Sequence, residues 1–212
     1  LINNVADVIN HDPRVNDMIK VVFIPDYKVS LAEVLIPAAD VSIQSSTAGF
    51  EASGTGNMKF ALNGALTVGT YDGANIEIRE AVGADNFYLF GLREEQIQEM
   101  RKNNAYNPRA CYENSEYLRR ILNAVNSNMF CEKDYVLLFK VIYEELLNRD
   151  YYFLLADLEA FNKALHDAEK DYTNPQKWAK KAIINVAKIG YFSSDRAVME
   201  YAKNIWHIKP VD

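Results

Sequence analysis

The sequence predicts an α/β protein, with a doubly wound parallel sheet followed by a helical C-terminal section. In the first 91 residues, short apolar runs that suit β-strands alternate with segments of helical spacing, which is typical of a parallel sheet covered by helices. Eight of the nine glycines lie between Gly49 and Gly91, so tight turns are concentrated there. Beyond residue 91, apolar residues recur at the spacing of amphipathic helices, as at Leu118, Ile121 and Leu122.

Apolar runs and the prolines that interrupt them define the elements of the first half. Pro25 ends the first apolar run, and Pro37 prevents the helix before it from continuing. The predicted strands are residues 21–24, 41–44, 65–69 and 87–90, and the predicted helices are residues 2–10, 29–35, 58–62 and 74–81. In such sheets a ligand lies beyond the carboxyl ends of the strands, which is where the glycine-rich segment after residue 44 begins.

Two helices of the second half have distinct signals. Asn174 and Pro175 suit the N-cap and the first position of one helix. Residues 193–195 would cap a final helix whose apolar stripe is too long to face water. That stripe consists of Val198, Tyr201, Ala202, Ile205 and Trp206. Because no low-complexity linker interrupts the chain, we expect one lobe over residues 1–192, with a sheet part at 1–91, a helical part at 92–192 and a separate helix at 193–212.

Composition and charge exclude several classes of protein. The 212 residues are 49% apolar, which is ample for a packed core. A net charge of -6 argues against nucleic acid or an anionic membrane surface as the main partner, because both need a basic excess. The three histidines are scattered, so we expect no metal site.

Cysteine usage and the chain ends give a location. Cys111 and Cys131 form no disulfide framework, which fits a reducing cytoplasm. No segment has the apolar length of a membrane span, and no leader is visible, so we expect a cytoplasmic protein without a membrane partner. The chain begins at Leu1 and enters an apolar helical pattern at once, so we expect a fragment of a longer protein.

The segment EASGTGNMK, residues 51–59, brings backbone freedom, charge and a reactive amine together. Gly54 and Gly56 flank Thr55, and without Cβ atoms the backbone can bring several N–H groups close to a ligand. These groups precede a helix, whose N-terminus favours negative charge, so a phosphate would suit this loop. Lys59 follows Thr55 by four residues and therefore shares its helix face. The pattern predicts an anion site beside a primary amine.

Spacing alone leaves alternatives open. The segment is not a Walker A loop, because Asn57 and Met58 separate the second glycine from Lys59. It also lacks the third glycine of the dinucleotide fingerprint, whose position Lys59 occupies. A loop between a strand and a helix, with a solvated lysine, fits the spacing as well. Asp72, followed by Gly73, is typical of a turn and less so of a metal ligand.

Three longer segments resemble a known family. They are PDYKVSLAEVLIPAADVSIQSSTAGFEASGTGNMKFALNGALTVGTYDGANIEI at residues 25–78, FYLFGLR at residues 87–93 and YFSSDR at residues 191–196. All are similar to the α-glucan phosphorylase family, which acts on glycogen, starch and maltodextrin. The resemblance covers essentially the whole chain, and its motifs are highly specific.

The resemblance implies a cofactor, pyridoxal 5'-phosphate. In that family the lysine that matches Lys59 carries the cofactor covalently, and the glycine loop binds its phosphate. A tyrosine near the cofactor matches Tyr27, and Lys28 stands where we expect arginine in many members, which keeps the charge but loses the bidentate fork. The residues that the resemblance assigns to the cofactor are Lys59, Gly54, Thr55, Gly56, Tyr27 and Lys28.

The resemblance also implies a sugar site. In the family the residue that matches Glu51 contacts the bound glucosyl group, and we expect Glu51 and Lys59 to be the catalytic residues. The alternative for Glu51 is an acid that only favours the N-terminus of the following helix. The residues that the resemblance assigns to the substrate are Glu51, Ala52, Ser53 and Gly54.

The reaction that the resemblance implies is phosphorolysis of an α-glucan by orthophosphate to glucose 1-phosphate. The family has a two-lobed glycosyltransferase architecture with a nucleotide-binding-like fold in each lobe, and it is usually dimeric. This chain would be an incomplete C-terminal lobe, with residues 193–212 crossing to an absent N-terminal lobe. Because several basic residues of the active site would lie upstream, we expect the chain alone to be inactive.

Two other classes of function stay open at this stage. One is a binding module for a different phosphorylated ligand, in which Lys59 is only a countercharge. The other is an assembly domain whose glycine loop is structural. Covalent attachment of a cofactor to Lys59 would separate an enzyme from both.

Overall fold

The computed structural model of the chain describes residues 1–15, 18–131 and 137–209. In these ranges the α-helices are α1 (Ile2–His11), α2 (Val29–Leu35), α3 (Gly56–Leu62), α4 (Asn75–Val82), α5 (Glu94–Lys102), α6 (Pro108–Asn114), α7 (Glu116–Val125), α8 (Lys140–Asn148), α9 (Leu154–Tyr172), α10 (Pro175–Lys188) and α11 (Ser194–Tyr201). The strands are β1 (Val41–Gln44), β2 (Leu66–Gly69) and β3 (Tyr88–Leu89). A π-helical turn, Ala202–Trp206, follows α11.

The chain divides into two compact units, and the divisions fall within α2, α5 and α9. The helical unit consists of residues 1–32 and 99–159, and the sheet unit consists of residues 33–98 and 160–212. The expected single lobe over residues 1–192 and the crossing of residues 193–212 stay predictions.

The sheet unit is built on three parallel strands in the order β1-β2-β3. Val41 of β1 lies opposite Leu66 of β2, and Val68 of β2 lies opposite Tyr88 of β3. All four residues of β2 are buried, as is usual for the central strand of a parallel sheet. The parallel sheet, with helices packed on it, confirms the predicted α/β class.

Two apolar clusters cover the sheet, and they use alternate residues of the segment around β3. Successive side chains of a strand point to opposite faces, so the two clusters lie on opposite sides of the sheet. One cluster contains Leu66, Val68, Tyr88, Phe90, Ala164, Ala168 and Trp178, from the strands and from α9 and α10. The other contains Ala61, Ile78, Val82, Phe87 and Ile189, with Met58, Leu89, Ile184 and Phe192 packed against it.

The helical unit has a leucine core. Its buried members are Leu118, Leu122, Leu147 and Leu155. Asp150, almost fully buried, accepts hydrogen bonds from the N–H groups of Leu154 (2.9 Å) and Leu155 (2.8 Å), and thereby caps the start of α9. No helix in the described ranges combines the length and apolar character that a membrane span requires.

The predicted strand at residues 21–24 is wrong, because this segment has no regular structure. The backbone N–H and C=O groups of Val21 bond to the side chain of Asn10, at 2.9 and 2.8 Å, so they cannot pair with a strand. Val22 and Phe23 are exposed. An apolar run of four residues makes a strand only when a neighbouring strand supplies hydrogen bonds, and here a side chain supplies them.

The other predicted elements are confirmed to within two residues at each end. The predicted cap of the final helix is wrong, because Ser193 at the N-cap of α11 makes no side-chain hydrogen bond to the helix. Asn174 caps α10 by accepting a hydrogen bond from the N–H group of Lys177 at 3.0 Å, and Pro175 occupies the first position. The apolar stripe of the last helix is exposed, since the accessible fractions of Val198, Ile205 and Trp206 are 53%, 63% and 55%.

A charged cluster on Asp171 fastens α9 and α10 to the sheet. The carboxylate of Asp171, at the end of α9, accepts hydrogen bonds from Tyr88 Oη at 2.9 Å and from Lys177 Nζ, and Lys181 Nζ lies 2.7 Å from Oδ2. Burial alone would raise the pKa of Asp171, but the bonds from Lys177, Lys181 and Tyr88 outweigh it and lower the pKa to about 2.

Replacing Asp171 with Asn should lower the urea midpoint of unfolding at pH 7, because two ammonium groups lose their carboxylate. A carboxyl group with a depressed pKa stabilises the fold above its ordinary pKa of 3.8, and this contribution is lost as the pH falls towards about 2. The difference between the parent protein and Asp171→Asn should therefore shrink across that interval. Urea titrations at a series of pH values measure it.

Asp167→Asn is the matched control, because the half-exposed side chain of Asp167 lies on the same helix and pairs with the exposed Lys163. It should leave the midpoint close to that of the parent. A gap between parent and Asp171→Asn that stays constant from pH 7 to pH 2 would contradict the assignment of stability to this carboxylate.

Candidate active site

The candidate site lies in the sheet unit, where two loops leave the carboxyl ends of neighbouring strands. The first loop, residues 45–55, connects β1 to α3, and the second loop, residues 70–74, connects β2 to α4. Thr70 joins them at their base, because its N–H group donates to the carbonyl of Gln44 at 3.2 Å and its hydroxyl donates to the carbonyl of Ser46 at 2.5 Å. The predicted position of the glycine-rich loop at the carboxyl edge of the sheet is confirmed.

Asp72 of the second loop holds the middle of the first loop. Its side chain is buried, with 7% of the residue exposed. Oδ1 accepts a hydrogen bond from the N–H group of Gly49 at 3.0 Å, and Oδ2 accepts from those of Phe50 at 3.2 Å and Glu51 at 2.8 Å. Hydrogen bonds to a carboxylate are stronger than neutral ones, so three of them fix the backbone of residues 49–51.

Gly73 and Ala74 hold the first loop at its next turn. The N–H group of Ala74 donates to the carbonyl of Ser53 at 2.7 Å. A Cβ atom on Gly73 would lie 2.6 Å from that carbonyl oxygen and 3.0 Å from Cγ of Glu51, and the φ angle of Gly73 is +48°. Only glycine allows this approach, because any side chain would collide with the first loop.

A buried amide pair continues the contact into the helices. Asn57 Nδ2, in the first turn of α3, donates to Asn75 Oδ1 at 3.0 Å, and Asn75 Nδ2 donates to the carbonyl of Thr70 at 3.1 Å. Gly69, at the end of β2, leaves room for this amide, since a Cβ atom there would lie 2.9 Å from Asn75 Nδ2. The pair fixes the start of α3 relative to the second loop.

Several backbone N–H groups of the site have no acceptor in the described part of the chain. They belong to Ala52, Ser53, Gly54, Thr55, Gly56 and Asn57. Gly54 has a φ angle of +78°, a left-handed conformation that glycine adopts readily. A Cβ atom on Gly56 would meet nothing within 4 Å, so the space in front of the loop is open. Such N–H groups suit an anion or the oxygens of a polar ligand.

Lys59 and Glu51 present their charged ends to solvent beside these N–H groups. Lys59 lies one helical turn from Thr55, whose carbonyl accepts its N–H group at 3.2 Å, and its side chain is exposed without an ion pair among the described residues. Glu51 is exposed as well, while its N–H group is held by Asp72. It lies five residues before α3, outside the first turn, where an acid would favour the helix N-terminus.

The structure brings most of the predicted site residues together. They are Glu51, Ala52, Ser53, Gly54, Thr55, Gly56 and Lys59. Tyr27 and Lys28 belong to the helical unit, where both are exposed and Lys28 Nζ lies 3.0 Å from Oδ2 of Asp26. The assignment of Tyr27 and Lys28 to the cofactor stays a prediction.

Sequence reasoning missed the groups that hold the loop. The turn at Asp72 is confirmed by the bond from the N–H group of Asn75 to its carbonyl at 3.1 Å, but the spacing gave no sign that its carboxylate binds three N–H groups 21 to 23 residues earlier. Asn75 is buried, and its side chain bonds to that of Asn57. Asn57 carried no signal beyond its place in the glycine-rich segment.

A three-stranded parallel sheet with two hydrogen-bonded loops at its carboxyl edge places the chain in the α/β class. Comparison with known proteins specifies the family. The sequence model of the carbohydrate phosphorylase family, described as "Carbohydrate phosphorylase", matches residues 1–208. The chain therefore belongs to the carbohydrate phosphorylase family.

Individual relatives agree with the family match. The chain is 53% identical over 209 residues, 98% of its length, to a glycogen phosphorylase of Chlamydia trachomatis. It is 49% identical over 211 residues to a glycogen phosphorylase of Synechocystis and 47% identical over 212 residues to the brain form of human glycogen phosphorylase, in both cases across 100% of the chain. The chain spans about 25% of the length of each of these relatives.

Proposed function

We propose that this chain is part of an α-1,4-glucan phosphorylase. In the proposed reaction, orthophosphate cleaves the terminal glucosyl unit of an α-glucan and gives α-D-glucose 1-phosphate with retention of configuration. The observation that carries the proposal is the family match over residues 1–208, together with relatives named glycogen phosphorylase. The geometry of the first loop supports it, because the exposed Lys59 lies one helical turn after a loop whose N–H groups have no acceptor among the described residues.

The residues of the first loop and α3 fit pyridoxal 5'-phosphate. Lys59 is an exposed lysine with no competing carboxylate among the described residues, and the open space at Gly56 leaves the loop backbone accessible to a phosphate. In the proposal Lys59 holds the cofactor covalently, the N–H groups of Thr55 and Gly56 bind its phosphate, and Gly54 allows the backbone turn that presents them. When bound, the cofactor supplies a phosphate whose second pKa, about 6, suits proton exchange with the substrate phosphate.

The remaining groups of the first loop would bind the glucosyl unit. In the proposal the Glu51 carboxylate accepts hydrogen bonds from sugar hydroxyls, and the N–H groups of Ala52, Ser53 and Gly54 donate to sugar oxygens. Both kinds of group are available, since the Glu51 carboxylate is exposed and those N–H groups have no acceptor in the described ranges. Donors and acceptors held by the fold need no reorganisation when the sugar arrives.

The chain spans about 25% of the length of its relatives, so we propose that it is part of a larger protein. By analogy with the family, this chain would belong to the C-terminal, nucleotide-binding-like lobe of a two-lobed cytoplasmic homodimer. The N-terminal lobe would complete the cleft and exclude water, which strengthens electrostatic contacts with the phosphates. The chain alone would be inactive. Tyr27 and Lys28 would approach the cofactor in the complete protein.

Lys59→Arg in the full-length protein should abolish covalent retention of pyridoxal phosphate and phosphorolysis. A guanidinium stays protonated and cannot attach to the cofactor's aldehyde. Borohydride fixes the cofactor on its lysine, so peptide mapping of the reduced parent protein should place the label on Lys59. Lys170→Arg, at an exposed lysine of α9, is the control and should retain cofactor and activity. Label on any other lysine would refute the assignment and favour a countercharge role.

Glu51→Gln in the full-length protein should lower kcat roughly 10- to 100-fold, the loss of one or two hydrogen bonds to a charged group. Cofactor content, measured by absorbance, should not change, because the side chain of Glu51 would contact the sugar only. Glu80→Gln, at an exposed acid of α4, is the matched control. Normal turnover in Glu51→Gln would exclude a sugar contact.

The exposed stripe on α11 and the π-helical turn leads us to propose that residues 193–212 cross to the absent lobe. Apolar side chains with the accessibility of Ile205 and Trp206 are usually covered by a partner surface. Deleting residues 194–212 should lower the melting temperature of this chain expressed alone by only a few degrees, yet weaken the pairing of lobes in the full-length protein. Differential scanning calorimetry of both forms tests this. A large loss in the chain alone would assign the helix to its core.

A further inference from the structure

The second loop contains a buried carboxylate that the proposed reaction does not use. Asp72 is 7% exposed and has no ion pair among the described residues. Its charge is balanced instead by the N–H groups of Gly49, Phe50 and Glu51, at 2.8 to 3.2 Å. Burying a carboxylate without a cation is costly, so the arrangement requires that these three hydrogen bonds offset the loss of water.

A turn does not require this carboxylate. The turn at residues 72–75 is closed by backbone, since the N–H group of Asn75 donates to the carbonyl of Asp72. Asn would serve a turn as well, because its side chain makes the same local bonds. The two oxygens of Asp72 both accept from the first loop, whereas Asn has one oxygen and would turn an NH2 group towards at least one N–H donor.

The position of Glu51 depends on the three hydrogen bonds to Asp72. Its N–H group makes the shortest of the three bonds, at 2.8 Å, and its Cγ lies 3.0 Å from the place that a Cβ atom on Gly73 would occupy. Two residues later, the carbonyl of Ser53 accepts the N–H group of Ala74 at 2.7 Å. The second loop therefore fixes the first loop on both sides of Ala52, the first of the residues whose N–H groups lack an acceptor in the described part of the chain.

We infer that Asp72 is a positioning residue for the sugar site: by holding the N–H groups of residues 49–51, it sets where the Glu51 carboxylate and the N–H groups of Ser53 and Gly54 meet the glucosyl unit. This inference rests on the proposed function. Asp72 does not touch the sugar, and it acts through the first loop.

Asp72→Asn in the full-length protein should lower kcat/KM for the glucan about 100-fold, the size of effect expected when a reacting group is displaced by about 1 Å. KM for orthophosphate and the content of pyridoxal phosphate should stay near the parent values, because neither phosphate contacts residues 49–51. Asp85→Asn makes the same chemical change at an exposed aspartate of the sheet unit and should leave kcat/KM unchanged.

A double-mutant cycle with Glu51→Gln separates positioning from general destabilisation. If Asp72 acts through Glu51, Asp72→Asn should cost less than about tenfold when Glu51→Gln is already present, because the two changes remove one shared interaction. A purely structural role predicts the same factor in both backgrounds, together with loss of cofactor. Full additivity in kcat/KM would overturn the inference.

Gly73→Ala tests the same contact without changing a charge, and decides the matter if Asp72→Asn fails to fold. The new Cβ atom would lie 2.6 Å from the carbonyl oxygen of Ser53 and push the first loop away. Gly83→Ala is its control, because Gly83 also has a positive φ angle, +87°, but its Cβ atom would meet nothing closer than 3.8 Å. Glucan kcat/KM should fall in Gly73→Ala and stay within a few-fold of the parent in Gly83→Ala.

The outcomes distinguish the two proposals. A full-length parent protein without phosphorolysis, or with its cofactor on another lysine, overturns the proposed function. An active parent with label on Lys59, in which Asp72→Asn behaves like Asp85→Asn and Gly73→Ala behaves like Gly83→Ala, leaves the proposed function standing and overturns the positioning role of Asp72.

Discussion

The parallel pairing of β1 and β2 is the constraint on which the site depends. Because the strands run in the same direction in the register Val41 to Leu66 and Gln44 to Gly69, both end at the same level. The chain must therefore leave them as two adjacent loops at one edge of the sheet. Burial of every residue of β2 keeps this register, since a slip by one residue would exchange its two buried faces. The meeting of the loops follows from the sheet.

Loops that pack against each other have to satisfy backbone groups that a strand or helix would satisfy itself. At this edge the second loop and the first residue of α4 supply the partners with buried side chains: the hydroxyl of Thr70, the carboxylate of Asp72 and the amide of Asn75. Thr70 and Asp72 bond to the backbone of the first loop, and Asn75 bonds to Asn57 next to that loop. Asn75 also bonds to the carbonyl of Thr70. Loss of a buried hydrogen bond costs more free energy than loss of an exposed one, so these bonds closely specify the conformation of the first loop.

The sequence predicted the elements of the sheet unit well because their signals are local. Apolar runs define β1 and β2, and Asn174 with Pro175 marks the start of α10. The strand at residues 21–24 failed for a non-local reason: the side chain of Asn10 takes the hydrogen bonds of Val21. The glycine-rich loop was likewise predicted from its own residues. The order of those residues also showed its resemblance to the phosphorylases.

The hydrogen bonds between Asp72 and the first loop could not be predicted in the same way. It joins residues more than 20 positions apart, and it exists only once β1 and β2 have paired. Asp-Gly is a common turn signal, and a turn explains the aspartate without any further role for its carboxylate. What the sequence predicts in this chain are candidate residues that are recognised by their own type, such as Lys59 and Glu51. What it misses are residues that act through a contact created by the fold.

The two groups of residues also differ in exposure, and this difference has a physical consequence. Asp72, Asn75 and Asn57 are buried and fully engaged, whereas Glu51 and Lys59 are exposed and their charged ends have no partner among the described residues. When a ligand of matching polarity replaces water, such charged ends and N–H groups exchange one hydrogen-bond partner for another. The free-energy cost of this exchange is small if the groups are already in place. Holding them in place through the backbone, and not through their own side chains, leaves all of their hydrogen-bonding capacity for the ligand. A loop fixed from behind in this way combines a firmly held backbone with solvated side chains, and the proposed site for a sugar and a phosphate requires both.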